Sequence, residues 1–187
     1  MLDKKKNRVA VYIDGSNFYN YLKDLKSNGE ISFGDRKKFD YDVFIDFLLD
    51  NRFLVSKRYY TGIFRNVYNS EKSLKLVKGQ QKFLAGLENN DFIIKRGRIM
   101  YDSGKTREKG TDVKIATDII VGAVDDIYDT AIIVSSDTDL VPALQYVRHK
   151  NKKIEYIGFS HSPSFGMQKN ANFSRLLSPF DINKFIK

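Results

Sequence analysis

The chain has 187 residues, of which 42% are hydrophobic and 13% aromatic, enough for one domain with a full core and not the composition of a disordered chain. Its formal charge of +9 makes a polyanion the first partner to consider, nucleic acid ahead of an anionic membrane, with a solvated lysine-rich surface as the ordinary alternative. The absence of cysteine excludes disulfides and thiolate metal sites, and no apolar run approaches the about 20 residues of a membrane span.

The N-terminus, Met1 to Lys6, is charged and leads into an apolar stretch too short for a signal peptide, so a soluble cytoplasmic protein is expected. Val9-Ala-Val-Tyr-Ile13 reads as a strand covered on both faces, the pattern of a parallel sheet. Asp14-Gly15-Ser16-Asn17 is turn chemistry, with Ser16 or Asn17 as the cap of a helix carrying Phe18, Tyr21, Leu22 and Leu25 and ending at Asn28-Gly29. Ile31 to Phe39 reads as a loop, and Tyr41 to Leu49 as a second helix. Phe53 to Phe64 is rich in β-formers, Asn66 to Ser70 is a loop, and Glu71 to Leu87 is a helix weakened at Gly79.

Phe92 to Tyr101 reads as a third strand, long and bulged at Gly97, followed by a loop over Asp102 to Gly110. A helix begins at Thr111, Ala131 to Val134 is a fourth strand, Asp139 to His149 a helix, and Lys153 to Phe159 a fifth strand. Met167 to Leu177 reads as a short helix and Phe180 to Ile186 as a strand or tail. There is no internal repeat and no linker, so a single domain over 1–187 is expected, with its core at about 8–177 and a tail at 178–187. Strands alternating with helices predict an α/β fold with a parallel sheet.

Acidic residues follow three of these strands. Asp14 ends the first, Asp112 opens the helix after the third, and Asp137 and Asp139 follow the fourth within Ser135-Ser136-Asp137-Thr138-Asp139. In open α/β sheets this edge is where ligands bind. Asp118, six residues beyond Asp112, projects roughly 120° away from it around the helix, so it ranks below Asp112. Several carboxylates without a cation repel one another by several kcal/mol in all, and either a divalent cation or protonation of some of the acids relieves this. Hard oxygen donors favour Mg²⁺ or Mn²⁺. Each acid also has a structural explanation: Asp14-Gly15 as a turn pair, Asp137 as a helix cap, and Asp112 and Asp139 as first-turn acids favoured by the helix dipole.

Lys105, Arg107 and Lys109 lie just before Asp112, on the expected rim of the site, where they could contact phosphates. Lys95, Arg96 and Arg98 form a second cluster that could equally discourage edge pairing. His149 and His161 belong to no pattern.

The stretches Val9-Ala-Val-Tyr-Ile-Asp14-Gly-Ser-Asn17, Lys109-Gly-Thr-Asp112-Val-Lys-Ile-Ala-Thr-Asp118 and Ser135-Ser-Asp137-Thr-Asp139-Leu-Val-Pro142 together resemble the NYN domain family, most closely its LabA-like branch. Asn170-Ala171-Asn172-Phe173 resembles the branch's closing motif, with Asn172 where an Asp is more usual. Ser136 and Thr138 stand where Gly and Ser are common. The resemblance covers about Arg8 to Leu177. It implies a PIN-like, Rossmann-like three-layer fold with five mainly parallel strands in the order 3-2-1-4-5. It also implies a metal-dependent ribonuclease with metal-binding acids at Asp14, Asp112, Asp137 and Asp139, Asn17 and Ser16 nearby, and Asp118 as a less central member.

The leading expectation is therefore a Mg²⁺- or Mn²⁺-dependent ribonuclease acting on single-stranded RNA, without a membrane partner and with homo-oligomerisation left open. A non-catalytic RNA-binding module that keeps the acidic pocket is the rival. A phosphatase of the haloacid-dehalogenase type would need Asp-x-Asp after the first strand, and Ser16 occupies the third position of Asp14-Gly15-Ser16.

Overall fold

The run predicted as the first strand forms β1 (Arg8–Asp14). Val9, Val11 and Ile13 enter one apolar layer, and Ala10 and Tyr12 enter another on the opposite face. A strand covered on both sides needs no polar alternation. The computed structural model describes residues 6–29, 38–66, 70–102 and 105–186, with the side chains of residues 102, 105 and 106 outside the description. The loop expected at Ile31–Phe39 thus lies outside the described residues except for its last two, and the Asn66–Ser70 loop is described only at its two ends.

After β1 come α1 (Gly15–Ser27), α2 (Tyr41–Leu49), β2 (Phe53–Ile63), α3 (Glu71–Glu88), β3 (Phe92–Asp102) and β4 (Lys105–Lys109). They are followed by α4 (Thr111–Val124), β5 (Thr130–Val134), α5 (Val141–His149), β6 (Lys153–Phe159), α6 (Phe165–Asn170), β7 (Phe173–Leu177) and α7 (Pro179–Asn183). The sheet order is β4-β3-β2-β1-β5-β6-β7, and only the β3–β4 pair is antiparallel. Phe18, Leu22, Phe44, Leu48, Phe83, Leu87 and Ile182 bring α1, α2, α3 and α7 onto one face. Ile115, Ile119, Leu144, Val147 and Met167 bring α4, α5 and α6 onto the other. The architecture is α/β, with a mainly parallel sheet between two helical layers.

The sequence-based expectation of five strands in the order 3-2-1-4-5 is corrected to seven strands in the order given, an extra strand lying at each edge. β4 falls in the stretch expected as a loop. Lys105 to Lys109 carries no apolar residue, so its period of two was invisible, yet it pairs residue by residue with Arg98–Asp102. β7 falls in the stretch expected as a helix. There the Asn172 N–H donates to the Ile154 carbonyl at 2.8 Å, and Asn172 Oδ1 accepts the Ile154 N–H at 2.9 Å. This pair of hydrogen bonds pins the chain to the edge of β6 and lays the next five residues along it. The expected bulge at Gly97 is also corrected. Register runs unbroken from Lys57↔Phe92 to Ile63↔Arg98, and the irregularity lies between Val9 and Ala10. Glycine is needed at 97 because a Cβ would overlap Thr111 Oγ1.

The segment after Leu177 turns into α7 through a capping box between Ser178 and Asp181. Ile182 and Phe185 are buried, with the Phe185 ring 5.2 Å from Phe44 and 5.7 Å from Phe39.

Arg52 joins two layers. Its guanidinium donates to the Leu48 and Leu49 carbonyls at the end of α2, each at 2.8 Å, and forms a forked pair with Glu155 of β6, one arm at 2.9 Å. Both side chains are largely buried, so removing one leaves the other charge without its partner. Arg52→Ala is expected to cost about 3 kcal/mol in urea unfolding, more than Arg52→Ala adds once Glu155→Ala is already present.

Candidate metal and nucleic-acid site

β1 and β5 end level with each other, Ile13 pairing with Val134, so Asp14 and Ser135 leave the sheet side by side. β2 and β3 run further. Tyr60 lies opposite Asp14, but the β2–β3 pairing continues to Ile63↔Arg98, and β4 folds back along this overhang. The acidic edge is thus walled on one side by a projecting hairpin.

Asp14, rather than Ser16 or Asn17, caps α1. Its Oδ1 accepts the N–H groups of Ser16 at 3.1 Å and Asn17 at 3.0 Å, while Oδ2 accepts the buried Ser135 hydroxyl at 3.1 Å. Ser135 Oγ in turn accepts the Asp137 N–H at 3.2 Å. Asp137 caps a 3₁₀ turn over Thr138–Leu140, its Oδ1 accepting the Asp139 N–H at 2.9 Å. Asn17 Oδ1 accepts the Ser136 N–H at 3.2 Å, tying α1 to the loop after β5.

The acid that sequence reasoning missed is Glu108 on β4. Its carboxylate accepts the hydroxyls of Ser16 and Thr111. Strand alternation puts Glu108, opposite Ile99, on the face of the hairpin turned toward α1, where both line the same cleft. The charges of Glu108 and Asp137 reach Asp14. Burial first, and then these two neighbours, raise the Asp14 carboxyl to about 6, against the lowering effect of the Asn17 N–H and the Ser135 hydroxyl. The signal available in the sequence was a lone acid at an alternate position of a basic run, just before Asp112.

The other expected ligands are placed differently. Asp112 stands in the first turn of α4, half-buried, and α4 packs against the Thr138–Leu140 turn and α5. Asp139 is exposed. Asp118 faces β2 and β3, where it accepts the Tyr60 hydroxyl at 2.8 Å and pairs with Lys95 at 3.1 Å and Arg58 at 3.4 Å. It is paired with two cations and sits with the Tyr12–Tyr60 layer. Among the described residues no three His, Asp or Glu side chains enclose a cation-sized space by themselves, so the expected four-aspartate set is not drawn together as a cage. Arg107 and Lys109 are exposed, and the side chain of Lys105 lies outside the described residues.

A cleft of about 530 Å³ opens beside Ser16 and Glu108. Tyr19 and Asn20 of α1, Gly62 and Phe64 at the end of β2, Leu76 and Lys75 of α3 and Ile99 of β3 also line it. Gln80, buried, holds its wall: its carboxamide accepts the Phe64 N–H at 2.9 Å and donates to the Gly62 carbonyl at 2.8 Å. Among the described residues no helix is long and apolar enough to cross a membrane.

Acidic residues thus stand at the C-terminal edge of a mainly parallel sheet in a chain of formal charge +9. The profile of the NYN domain matches residues 8–176, and the chain belongs to the NYN domain family, a group of PIN-like nuclease domains. No curated protein matches the sequence. The crystal structure of a protein of unknown function from Vibrio parahaemolyticus RIMD 2210633 has the same fold, with a TM-score of 0.69 and 22% identity over 95% of this chain and 96% of that one.

Proposed function

We propose that this chain is a divalent-metal-dependent ribonuclease of the LabA-like branch, working on RNA at the C-terminal edge of its sheet. The observation that carries the reading is the linkage of Asp14 to the Asp137 turn through the buried Ser135 hydroxyl at the C-terminal edge of the sheet, with Glu108 anchored on Ser16 beside them. Burial first, and the charges of Glu108 and Asp137 after it, raise the Asp14 carboxyl to about 6. The residues fit Mg²⁺ or Mn²⁺. All the donors are hard oxygens, the charge is in excess, and Mg²⁺ commonly uses one or two carboxylates together with substrate phosphate and water rather than a closed protein cage. Asp14 and Asp137 would hold the ion, with Asp112, Asp139 and Glu108 acting through water. When bound, it neutralises the charge that develops on the phosphodiester and acidifies water.

The chain's own groups do the rest. Ser135 and the N–H groups of Ser16 and Asn17 fix the Asp14 carboxylate, and Asn17 fixes the Ser136 loop against α1. Arg107 and Lys109 offer exposed cations to the RNA backbone on the hairpin face away from Glu108. Labelled single-stranded RNA is expected to be cut with Mn²⁺ and left intact in EDTA.

A second reading, an RNA-binding module without cleavage, is favoured by the one feature that the first must accommodate: among the described residues no three acids form a cage unaided. It predicts salt-sensitive RNA binding that survives Asp14→Asn, with no products in any divalent cation.

A further inference from the structure

Phe165, the first residue of α6, is 79% exposed. Other phenylalanines are exposed too, but Phe173 and Phe180 lie beneath the cations of Arg175 and Lys184, and Phe53 begins β2 at the far edge of the sheet. Phe165 has no such covering partner among the described residues, and it stands at the acidic edge.

Its position is fixed by a continuous chain of hydrogen bonds. The Ser164 N–H donates to the Tyr156 hydroxyl at 3.2 Å, which pairs with Ser136 Oγ at 2.7 Å. The Ser136 N–H donates to Asn17 Oδ1 on α1. Tyr156 is fully buried, so this link does not swing. On the other side of Phe165, Gly166 packs so closely on Thr138 that a Cβ would come within 3.0 Å of Thr138 Cγ2. The root of the Phe165 ring is thereby held against the turn that carries Asp137 and Asp139, across the site from the Tyr19 and Phe64 cleft.

We propose that Phe165 is a stacking platform for one unpaired base of an RNA strand whose phosphate lies at Asp14 and Asp137. The proposal rests on the reading of this edge as an RNA site and assigns its substrate class as single-stranded. An exposed ring face accepts any base, whereas a base paired and stacked within a duplex cannot lie flat on it.

The test is binding at low salt with Ca²⁺ in place of Mn²⁺, a hard cation that can bridge the phosphate and the carboxylates, over times in which the RNA is verified to remain uncut. The probes are a single-stranded oligoribonucleotide containing 2-aminopurine and the duplex of the same sequence. Phe165→Ala is expected to weaken single-strand binding about tenfold and abolish the 2-aminopurine quenching, leave duplex binding unchanged and keep the wild-type melting temperature. Phe165→Tyr is expected to retain both affinity and quenching, which keeps the test decisive if the alanine variant folds poorly. Unchanged single-strand binding in Phe165→Ala, or equal losses for single strand and duplex, overturns the platform. Quenching that depends on Phe165 in a protein that cuts no RNA in Mn²⁺ overturns the nuclease reading and leaves the platform standing.

Discussion

Asp14→Asn raises the stability of the metal-free protein by up to about 3 kcal/mol at pH 8 and by only about 0.5 kcal/mol near pH 4. The Asp14 carboxyl goes from an ordinary 3.8 in the unfolded chain to about 6 in the folded one. A raised carboxyl means that the folded state holds its proton more tightly. Stability contributed by this group is therefore present at low pH and lost as pH climbs through the window from 3.8 to 6. Two units at about 1.4 kcal/mol each set the size. Asparagine keeps the acceptor that caps α1 and can still pair with Ser135, so it removes the charge without removing the cap. Urea unfolding in EDTA across pH 4 to 8 checks this. Adding Mn²⁺ at pH 8 reverses the order, since the wild type gains stability by binding and the variant does not. A variant less stable than the wild type at pH 8 in EDTA contradicts the account.

Gly15→Ala costs more than 3 kcal/mol, or prevents folding. The new Cβ would overlap the Tyr59 ring, with the Tyr59 hydroxyl only 2.6 Å away. That ring is fully buried and wedged edge-on against Tyr41 and Phe83, each with its centroid 5.7 Å away. It has no direction in which to yield, so the strain falls on the start of α1, and the usual overpacking penalty of about 1–3 kcal/mol is a lower bound. A double-mutant cycle checks the cause. Gly15→Ala placed on Tyr59→Val is expected to cost less than about 1 kcal/mol, because the clash partner is gone. Additive losses in the cycle would assign the effect to backbone conformation instead.

The parallel centre of this fold was legible because its strands are apolar without interruption, as in Val9–Ile13 and Ala131–Val134, and its helices carry clear stripes. The edges were not. β4 has no apolar residue, and β7 depends on the pairing of Asn172 with Ile154, a contact remote in sequence. The same blindness hid Glu108. A residue assigned to a loop has no face, and only the β3–β4 pairing turns it toward Ser16. The partners of Asp118 were hidden for a related reason. Helical projection separated it from Asp112 correctly, but its partners Arg58 and Lys95 come from two other strands. Asp14 and Asp137 were legible as turn and cap residues because each follows closely on the apolar run of a strand. Both caps are real, and the charge of Asp137 still reaches Asp14.

The most direct measurement of the central claim is the initial rate of cleavage of labelled single-stranded RNA at pH 7.5 with saturating Mn²⁺ (about millimolar), for the wild type beside Asp14→Asn and Asp137→Asn. The account predicts a cation-dependent rate in the wild type and a loss of at least about 100-fold in each variant, with the fold intact. Equal rates in the three proteins, or a wild-type rate indifferent to EDTA, would contradict it.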